Sequence, residues 1–261
     1  MSDPNMPPPP PGGGTPPPAG PPGGGMPPPP GGGMPPAQPY GGGYGGAPQL
    51  DVGAAFSYGW KKFQEYAKEF ILLVLGVFVA TVVVSALAFL VMVPAISGDS
   101  AFLAFLGWAV AMALVIIVSF AVQAGVYRAS LAVTQGRAPA MSMFTDSTNI
   151  GPFVLTVIVV GLGAVVGFML CFIPGIIWMF FVAYAPLRAI DRGEGPVDAI
   201  KGSIEMVRAN IGPVLLVLLV SYLVYYLGSL VCYVGLLVSI PIAITMIAYS
   251  YRVINGEPVA P

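Results

Sequence analysis

The most polar group inside any apolar stretch of this sequence is a set of hydroxyl-bearing residues on one predicted membrane-spanning helix. The set consists of Ser221, Tyr222, Tyr225, Tyr226 and Ser229. Hydroxyls in hydrocarbon need hydrogen-bond partners, so we expect this face, at the bilayer midplane, to point into the helix bundle. Candidate partners are Ser119, Gln123 and Thr245. The face is consistent with hydrogen bonding between helices or with a cavity for a lipid or small amphiphile.

The two cysteines could form a disulfide. Cys171 and Cys232 each follow a copy of the same Asn-Ile-Gly-Pro motif, at the same distance along the chain. Equivalent repeat positions put both sulfurs at a similar membrane height, on the side that the charges place outside the cytoplasm, where disulfides persist. A bond also requires Cα atoms within ~7 Å, which the repeat does not determine. The alternative is two buried thiols that act as small apolar residues.

Other catalytic and ligand-binding chemistry has little support in the sequence. The chain has no histidine, which removes the commonest general base and metal ligand. No predicted span contains Lys, Arg, Asp or Glu, and such groups are typical of pumps and proton relays. A net charge of −1 argues against nucleic acid as a partner. We therefore expect no enzymatic activity, no cofactor and no bound metal.

An internal repeat organises the apolar part of the chain. The motif Asn149-Ile150-Gly151-Pro152 recurs as Asn210-Ile211-Gly212-Pro213, at the same offset that separates the two cysteines, and each copy opens a long apolar run. With 56% hydrophobic and 8% charged residues, the composition is typical of a membrane protein. The predicted fold is an all-α polytopic membrane protein with six transmembrane helices. They form three units, each an interfacial helix followed by a hairpin.

The predicted spans follow from the apolar runs and their turns. They are 70–93, 102–126, 151 to about 171, a fourth that follows the turn at 174–175 and ends near 184–188, 214–232, and 236 to about 247. The predicted interfacial segments are 51–68, the polar-flanked stretch 143–148, and 199–211. In the first of these, Asp51 is a predicted N-cap. Val52, Phe56, Trp60 and Phe63 form its apolar stripe, opposite a polar side that includes Lys61 and Lys62. The alternative is an extension of the first span into water.

Charge distribution predicts the topology. All ten Lys and Arg lie on the side of the membrane shared by both chain ends, and the three opposite connections contain none. The positive-inside rule then places both termini in the cytoplasm.

The second and third hairpins are close to the minimum length for two crossings. Residues 153–187 give about 52 Å of helix, whereas two crossings of the hydrocarbon core need about 60 Å. We expect these spans to start within the preceding amphipathic segments, with Asn149 and Asn210 near the headgroups, rather than to thin the bilayer.

Residues 1–50 form a separate region that is rich in proline and glycine. Their only charged side chain is Asp3, and they contain too little apolar surface to form a core, which predicts a disordered cytoplasmic tail before a membrane domain at 51–261. The tail could be a solvated spacer, a strip that docks into an aromatic-lined groove of a protein partner, or an adhesive low-complexity arm that acts through Tyr40 and Tyr44.

Three stretches together resemble one protein family. They are 55–63 (AFSYGWKKF), 172–177 (FIPGII) and 198–203 (DAIKGS) running on to Asn210. They are similar to bacterial six-helix integral membrane proteins of unknown function that are related to the membrane domain of glycerophosphodiester phosphodiesterases. The proline- and glycine-rich leader resembles actinobacterial versions. The resemblance implies a bacterial cytoplasmic membrane, but not the phosphodiesterase activity, because the metal-binding catalytic domain has no counterpart here.

The sequence therefore favours a non-catalytic membrane protein that acts as a scaffold or envelope-associated factor, with the lipid bilayer and a protein partner of the tail as its contacts. The alternative is a transporter, flippase-like protein or channel that uses the polar face of the fifth span.

Overall fold

The computed structural model describes residues 50–98, 100–231 and 234–261. Over these residues the chain is helical, without strands. The predicted tail, apart from Leu50, lies outside the described residues. The helices are α1 (Val52–Glu65), α2 (Ala67–Ser97), α3 (Ala101–Thr134), a 3₁₀ turn at Met141–Phe144, α4 (Ile150–Leu170), α5 (Phe172–Phe181), α6 (Ala185–Arg192), α7 (Pro196–Ala209), α8 (Ile211–Leu230) and α9 (Leu236–Ile254).

Six helical segments are long and apolar enough to span a membrane, which confirms the predicted fold class. They are Ala67–Val93, Ala101–Thr134, Ile150–Leu170, Phe172–Arg192, Ile211–Leu230 and Leu236–Ile254. Consecutive spans pair as α2–α3, α4–α5 and α8–α9, and α9 is the most buried of the six. The fourth span is broken, since α5 ends at Phe181 and α6 begins at Ala185.

The segments before the three hairpins differ. Helices α1 and α7 each contain 14 residues, but the second unit has only the four-residue 3₁₀ turn where an interfacial helix was expected. Local polar bonds compete with helix formation there, because Asp146 accepts a hydrogen bond from the backbone N–H of Thr148 at 2.8 Å. The repeat therefore holds for the hairpins more closely than for the segments that precede them.

The repeated motif starts the third and fifth spans. Pro152 and Pro213 each lie within the first turn of their helix, where a backbone N–H has no partner inside the helix. Both spans begin directly after the motif asparagine, so they gain little length from the segments that precede them. Helix α7 does not continue into α8, because Asn210 interrupts it with φ −138°.

Helix α1 packs on the bundle through a face that contains Tyr58, Gly59, Lys62 and Phe63. Asp51 caps it as expected, since its carboxylate accepts from the N–H of Ala54 at 2.6 Å. Of the predicted apolar stripe, Phe63 is buried and Phe56 and Trp60 are exposed, and Lys62 of the predicted polar side is only 1% exposed. The reason is close approach: a Cβ at Gly59 would lie 3.0 Å from the carbonyl oxygen of Ile242 in α9.

Side-chain packing is concentrated in the half of the bundle nearest the charged residues. The larger core joins parts of α1, α3, α4, α6, α7, α8 and α9, and contains the fully buried Phe153, Tyr184, Val207 and Tyr251. Leu50, the last residue of the predicted tail, packs there too. A smaller core joins α1, α2, α3 and α9 through Phe63, Phe70, Val133, Ile242 and Met246.

Towards the opposite end, glycines bring the two helices of a hairpin together. Gly167 of α4 lies against Gly175 of α5, and Gly163 lies against the ring of Trp178. Two of the four glycines of the third span are therefore closely packed within its hairpin. The other two, Gly151 and Gly161, have no neighbour within 4 Å of an added Cβ.

The glycine contact predicts opposite effects for two similar substitutions. A Cβ at Gly167 would lie 2.8 Å from the Cα of Gly175, so Gly167→Ala should lower the free energy of unfolding by about 1–3 kcal/mol. The matched control, Gly161→Ala, should leave it unchanged or raise it by up to about 1 kcal/mol through helix propensity. Denaturant unfolding in detergent measures both, and equal effects would contradict the proposed contact.

Candidate functional site at the charged end of the bundle

Six charged side chains form one ion-pair network at the charged end, which we call the charged cluster. Its three cations and three anions are Arg188, Asp191, Arg192, Glu194, Arg252 and Glu257. Arg188 binds Glu194 through two parallel bonds, with Nε–Oε2 and Nη2–Oε1 distances of 2.7 and 2.8 Å. Such bidentate pairs are strong and fix the orientation of both groups.

The rest of the charged cluster ties α6 to α9 and to the segment that follows α9. Arg192 donates to Glu257 at 2.6 Å, and Arg252 donates to Asp191 at 3.1 Å and also to Glu257. Burial alone would raise the pKa of Glu257, but the hydrogen bonds from the two arginines outweigh it and lower the pKa below its ordinary value. The carboxylate is therefore held in its charged form.

Two glycine turns position the charged cluster. Gly193, with φ 68°, ends α6, and Gly256, also with φ 68°, follows α9 and brings Glu257 back towards Arg252. Left-handed backbone is the conformation that glycine adopts without strain. Gly193 also has no room for a side chain, because an added Cβ would lie 2.7 Å from Oδ1 of Asn149.

A buried hydroxyl network lies beneath the charged cluster. The hydroxyl groups of Tyr184 and Ser250 are 2.8 Å apart, which joins the α5–α6 connection to α9. Ser203 of α7 accepts from the N–H of Tyr184 at 3.1 Å and donates to the carbonyl of Phe181 at 2.8 Å. This serine therefore satisfies backbone groups at the break in the fourth span, which would otherwise lack partners.

The ammonium group of Lys62 is enclosed at the same end. It donates to Glu65 at 2.7 Å and to the carbonyl oxygen of Pro261 at 2.5 Å, and lies 5.8 and 5.7 Å from the ring centroids of Tyr58 and Tyr66. The hydrogen bond from the lysine lowers the pKa of Glu65. The sequence pattern had placed this lysine on the polar side of the helix. The only feature of the sequence that indicated its enclosure was the presence of tyrosines at helical spacing, Tyr58 and Tyr66.

A polar cavity of about 160 Å³ lies beside the 3₁₀ turn. Arg128 organises it by donating to the carbonyls of Met143 and Thr148 at 3.2 and 2.5 Å, and it lies 3.8 Å from Asp146. The other charged residues of its lining are Arg137 and Asp191. Two arginines and two aspartates cancel in charge, so the cavity has no electrostatic preference for an anion over a cation.

The two motif asparagines have related roles at helix ends. Asn149 is left-handed, with φ 56°, and its Nδ2 donates to the carbonyl of Ile190 at 3.1 Å, so it caps the end of α6. Asn210 donates to the carbonyl of Met206 at 3.1 Å and caps α7. Gly151 and Gly212 have no neighbour within 4 Å of an added Cβ.

The predicted polar face of the fifth span does not point into the bundle. Tyr222, Tyr225 and Tyr226 are 63%, 45% and 50% exposed, so the expectation is wrong for these three. Ser221 alone is buried, with Oγ 4.0 Å from the sulfur of Met246. The buried face of α8 instead consists of Val214, Val217, Ser221 and Gly228, and Gly228 packs closely against Ser239 of α9. Ser229 donates to the carbonyl of Tyr226 within its own helix.

The expected partners of that face lie elsewhere. Ser119 and Gln123 are exposed on α3, and Thr245 is fully buried in α9. Of the two cysteines, Cys171 is exposed in extended backbone between α4 and α5, while Cys232 lies outside the described residues, so the disulfide stays a prediction. Among the described residues, no group of three His, Cys, Asp or Glu could hold a metal ion.

Comparison with known proteins places the chain among mycobacterial relatives. It is 33% identical over 232 residues to the uncharacterised protein Rv2560 of Mycobacterium tuberculosis (strain H37Rv), a match that covers 80% of this chain and 70% of the relative. The chain belongs to the family of these proteins. The uncharacterised protein Mb2590 of Mycobacterium bovis matches to the same extent. No family model matches the chain, and no solved structure does.

The enclosed lysine predicts unequal effects for two adjacent substitutions. Lys62→Met should lower the free energy of unfolding by about 1–3 kcal/mol, because Glu65 and the Pro261 carbonyl lose a charged donor. Lys61→Met, at the exposed neighbouring position, should change it by less than about 0.5 kcal/mol. Thermal or denaturant unfolding in detergent tests the difference, and equal losses would show that the ammonium is not specifically bound.

The low pKa of Glu257 predicts an acid-sensitive contact. Because its pKa is lower in the folded chain than the ordinary 4.5, its stabilisation is complete above about pH 5 and is lost as pH falls through the folded value. Glu257→Gln should cost about 1.5–3 kcal/mol at pH 7. The gap between the two proteins should then close below pH 4.5. Unfolding measured from pH 7 to 3.5 checks this, and a gap that does not depend on pH would contradict it.

Proposed function

We propose that the chain is a non-catalytic membrane scaffold with its charged end in the cytoplasm and its proline- and glycine-rich tail as a contact arm for a protein partner. The relation to the membrane domain of glycerophosphodiester phosphodiesterases, and location in the bacterial cytoplasmic membrane, are part of this proposal. Both rest on the sequence stretches that resemble that family.

The observation that carries the proposal is that the charged side chains at the charged end bind one another or the backbone. In the charged cluster three cations bind three anions, and Lys62 binds Glu65 and a backbone carbonyl. Charged groups that bind each other hold α6, α9 and the following segment in one arrangement. This is the property expected of a rigid platform.

The charge asymmetry supports the proposed orientation. All ten Lys and Arg lie at or near one end of the described helices, and the described parts of the opposite connections carry none. An excess of Lys and Arg marks cytoplasmic loops. The tail enters α1 at this same end, so it would extend into the cytoplasm.

The scaffold role predicts partners that depend on the tail. Full-length protein and a version that begins at Leu50 are expressed in a bacterial host, cross-linked in the membrane and purified. Both should integrate equally, because α1 has its own cap at Asp51. We expect a defined set of proteins only with the full chain, and a peptide of residues 1–49 should displace it. Identical sets from both proteins would contradict the scaffold role.

A second candidate, a carrier for a lipid or small amphiphile, is favoured by two adjoining cavities along α2 and α3. An apolar one of about 240 Å³ lies between α2, α3 and α9 and is bounded by Phe144. The other, of about 280 Å³, is lined in part by Thr81, Ser85, Ser119 and Gln123. Val122 lines both, so the carrier would use this groove rather than the tyrosines of α8.

Lipid transfer in vesicles distinguishes the second candidate from the first. A carrier should accelerate the exchange of a fluorescent phospholipid between leaflets, and Gln123→Leu with Ser119→Ala should slow it at least threefold. Exchange no faster than in vesicles without protein would reject the carrier.

A further inference from the structure

Two tyrosines on the exposed face of α8 lie deep in the membrane. Tyr222 lies about 17 Å along the helix from its first residue, and Tyr226 lies about 23 Å along it, in a hydrocarbon core of about 30 Å. Helix α8 begins at the charged end, and helical side chains lean towards the N-terminus of their helix, so both phenol groups lean towards the middle of the membrane. They are therefore not part of an aromatic belt at the headgroups.

The hydroxyl groups of these two tyrosines have no hydrogen-bond partner among the described residues. Both side chains are exposed, and their rings stack on each other with centroids 6.5 Å apart and planes within 14°. A hydroxyl without a partner is costly in hydrocarbon, and lipid tails offer neither a donor nor an acceptor. A group from outside this chain must therefore bind the two hydroxyls.

The two tyrosines belong to a line of residues along α8, which we call the tyrosine seam. Its members recur at intervals of four, three, four and three residues: Leu215, Leu219, Tyr222, Tyr226 and Ser229. The first four are exposed and the serine is half-buried, and the buried residues of α8, which pack on α9, lie on the other side of the helix. This heptad spacing lets a seam face a parallel neighbouring helix over its whole length.

The chemistry of the tyrosine seam fits a second copy of this chain. A phenol hydroxyl both donates and accepts, so the seam is complementary to itself. Two copies inserted in the same orientation are related by a two-fold axis along the membrane normal, which puts each residue opposite its own counterpart at the same height. Tyr222 and Tyr226 each meet a hydroxyl in this arrangement, and Leu215 and Leu219 pack against apolar side chains.

We propose that the chain forms a parallel homodimer through the tyrosine seam, with the hydroxyl groups of Tyr222 and Tyr226 hydrogen-bonded between the two copies inside the hydrocarbon core. The dimer places two charged ends on the same side of the membrane. The proposal goes beyond the scaffold role and does not depend on a partner of the tail.

The internal repeat supplies a matched control helix. At the offset between the two Asn-Ile-Gly-Pro motifs, Leu219 of α8 corresponds to Ile158 of α4, and Tyr226 corresponds to Val165. Both α4 residues are exposed, as are their counterparts. The two helices thus present faces of equal depth to the lipid, and only the α8 face carries the two phenol hydroxyls.

Disulfide cross-linking of single cysteines tests which face meets the second copy. Leu219→Cys and Ile158→Cys are each introduced into the full-length chain with Cys171→Ser and Cys232→Ser, and bacterial membranes with equal amounts of each protein are oxidised with copper–phenanthroline. We expect at least fivefold more cross-linked homodimer from Leu219→Cys, because the α4 face meets other copies only by collision. Equal yields, or a main product that joins Leu219→Cys to a different protein, would overturn the proposal.

Removing the hydroxyls tests the hydrogen bonds themselves. The full-length chain with its native cysteines and one fluorophore at its N-terminus is diluted stepwise in lipid vesicles, and single-molecule photobleaching counts monomers and dimers. An interhelical hydrogen bond in a membrane contributes a factor of about three, so Tyr222→Phe with Tyr226→Phe should lower the association constant about tenfold. Tyr225→Phe, next to the seam, should leave it unchanged. Monomers alone at every dilution, or equal constants for the native chain and the double variant, would overturn the proposal.

Discussion

The arrangement of the helices depends on the pairing of charged groups next to the membrane. A charge that leaves water is costly unless a partner replaces its hydration, and removing one partner leaves the other uncompensated. Arg252 of α9 pairs with Asp191 of α6, and Glu257, which follows α9, pairs with Arg192 of α6, so α9 cannot move relative to α6 without breaking both pairs. The position of α9, the most buried span, sets the packing of α1, α3 and α8 around it.

Away from the charged end, the backbone itself makes the close contacts. Within hairpins two and three, helices approach through Gly167 against Gly175 and through Gly228 against Gly235. Association in lipid relies on such packing, because lipid tails are as apolar as the side chains they would replace. The far ends of these hairpins therefore depend on small residues, whereas the charged end depends on ion pairs and hydroxyl groups.

These two modes of packing suggest a division of roles. The charged end is rigid and is where the proposed contact arm enters, and the far ends expose large apolar side chains to lipid. A scaffold needs a fixed platform on the side of its partner.

The sequence alone determined the features that depend on composition and on local backbone chemistry. Uncharged runs long enough to cross a membrane predicted six spans, since hydrocarbon tolerates only segments that satisfy their own backbone groups. The Asn-Ile-Gly-Pro motif located two helix starts, because proline fits the first turn, and Asp51 was identified as a cap. The functional hypotheses were based on the absence of histidine from the sequence and of charged residues from the predicted spans.

Only the tertiary structure decided which face of each helix is inside. The tyrosines of α8 were expected to form an inward face, yet Tyr222, Tyr225 and Tyr226 are exposed. In lipid, both faces of a helix are apolar, so periodicity does not distinguish them, and the smallest side chains decide which face can approach a neighbour. Lys62 became buried for the same reason, because Gly59 brought α1 against α9. The charged cluster joins side chains as distant in the chain as Arg192 and Glu257, and such pairing depends on tertiary contacts between the end of α6 and the end of α9, which no local pattern encodes.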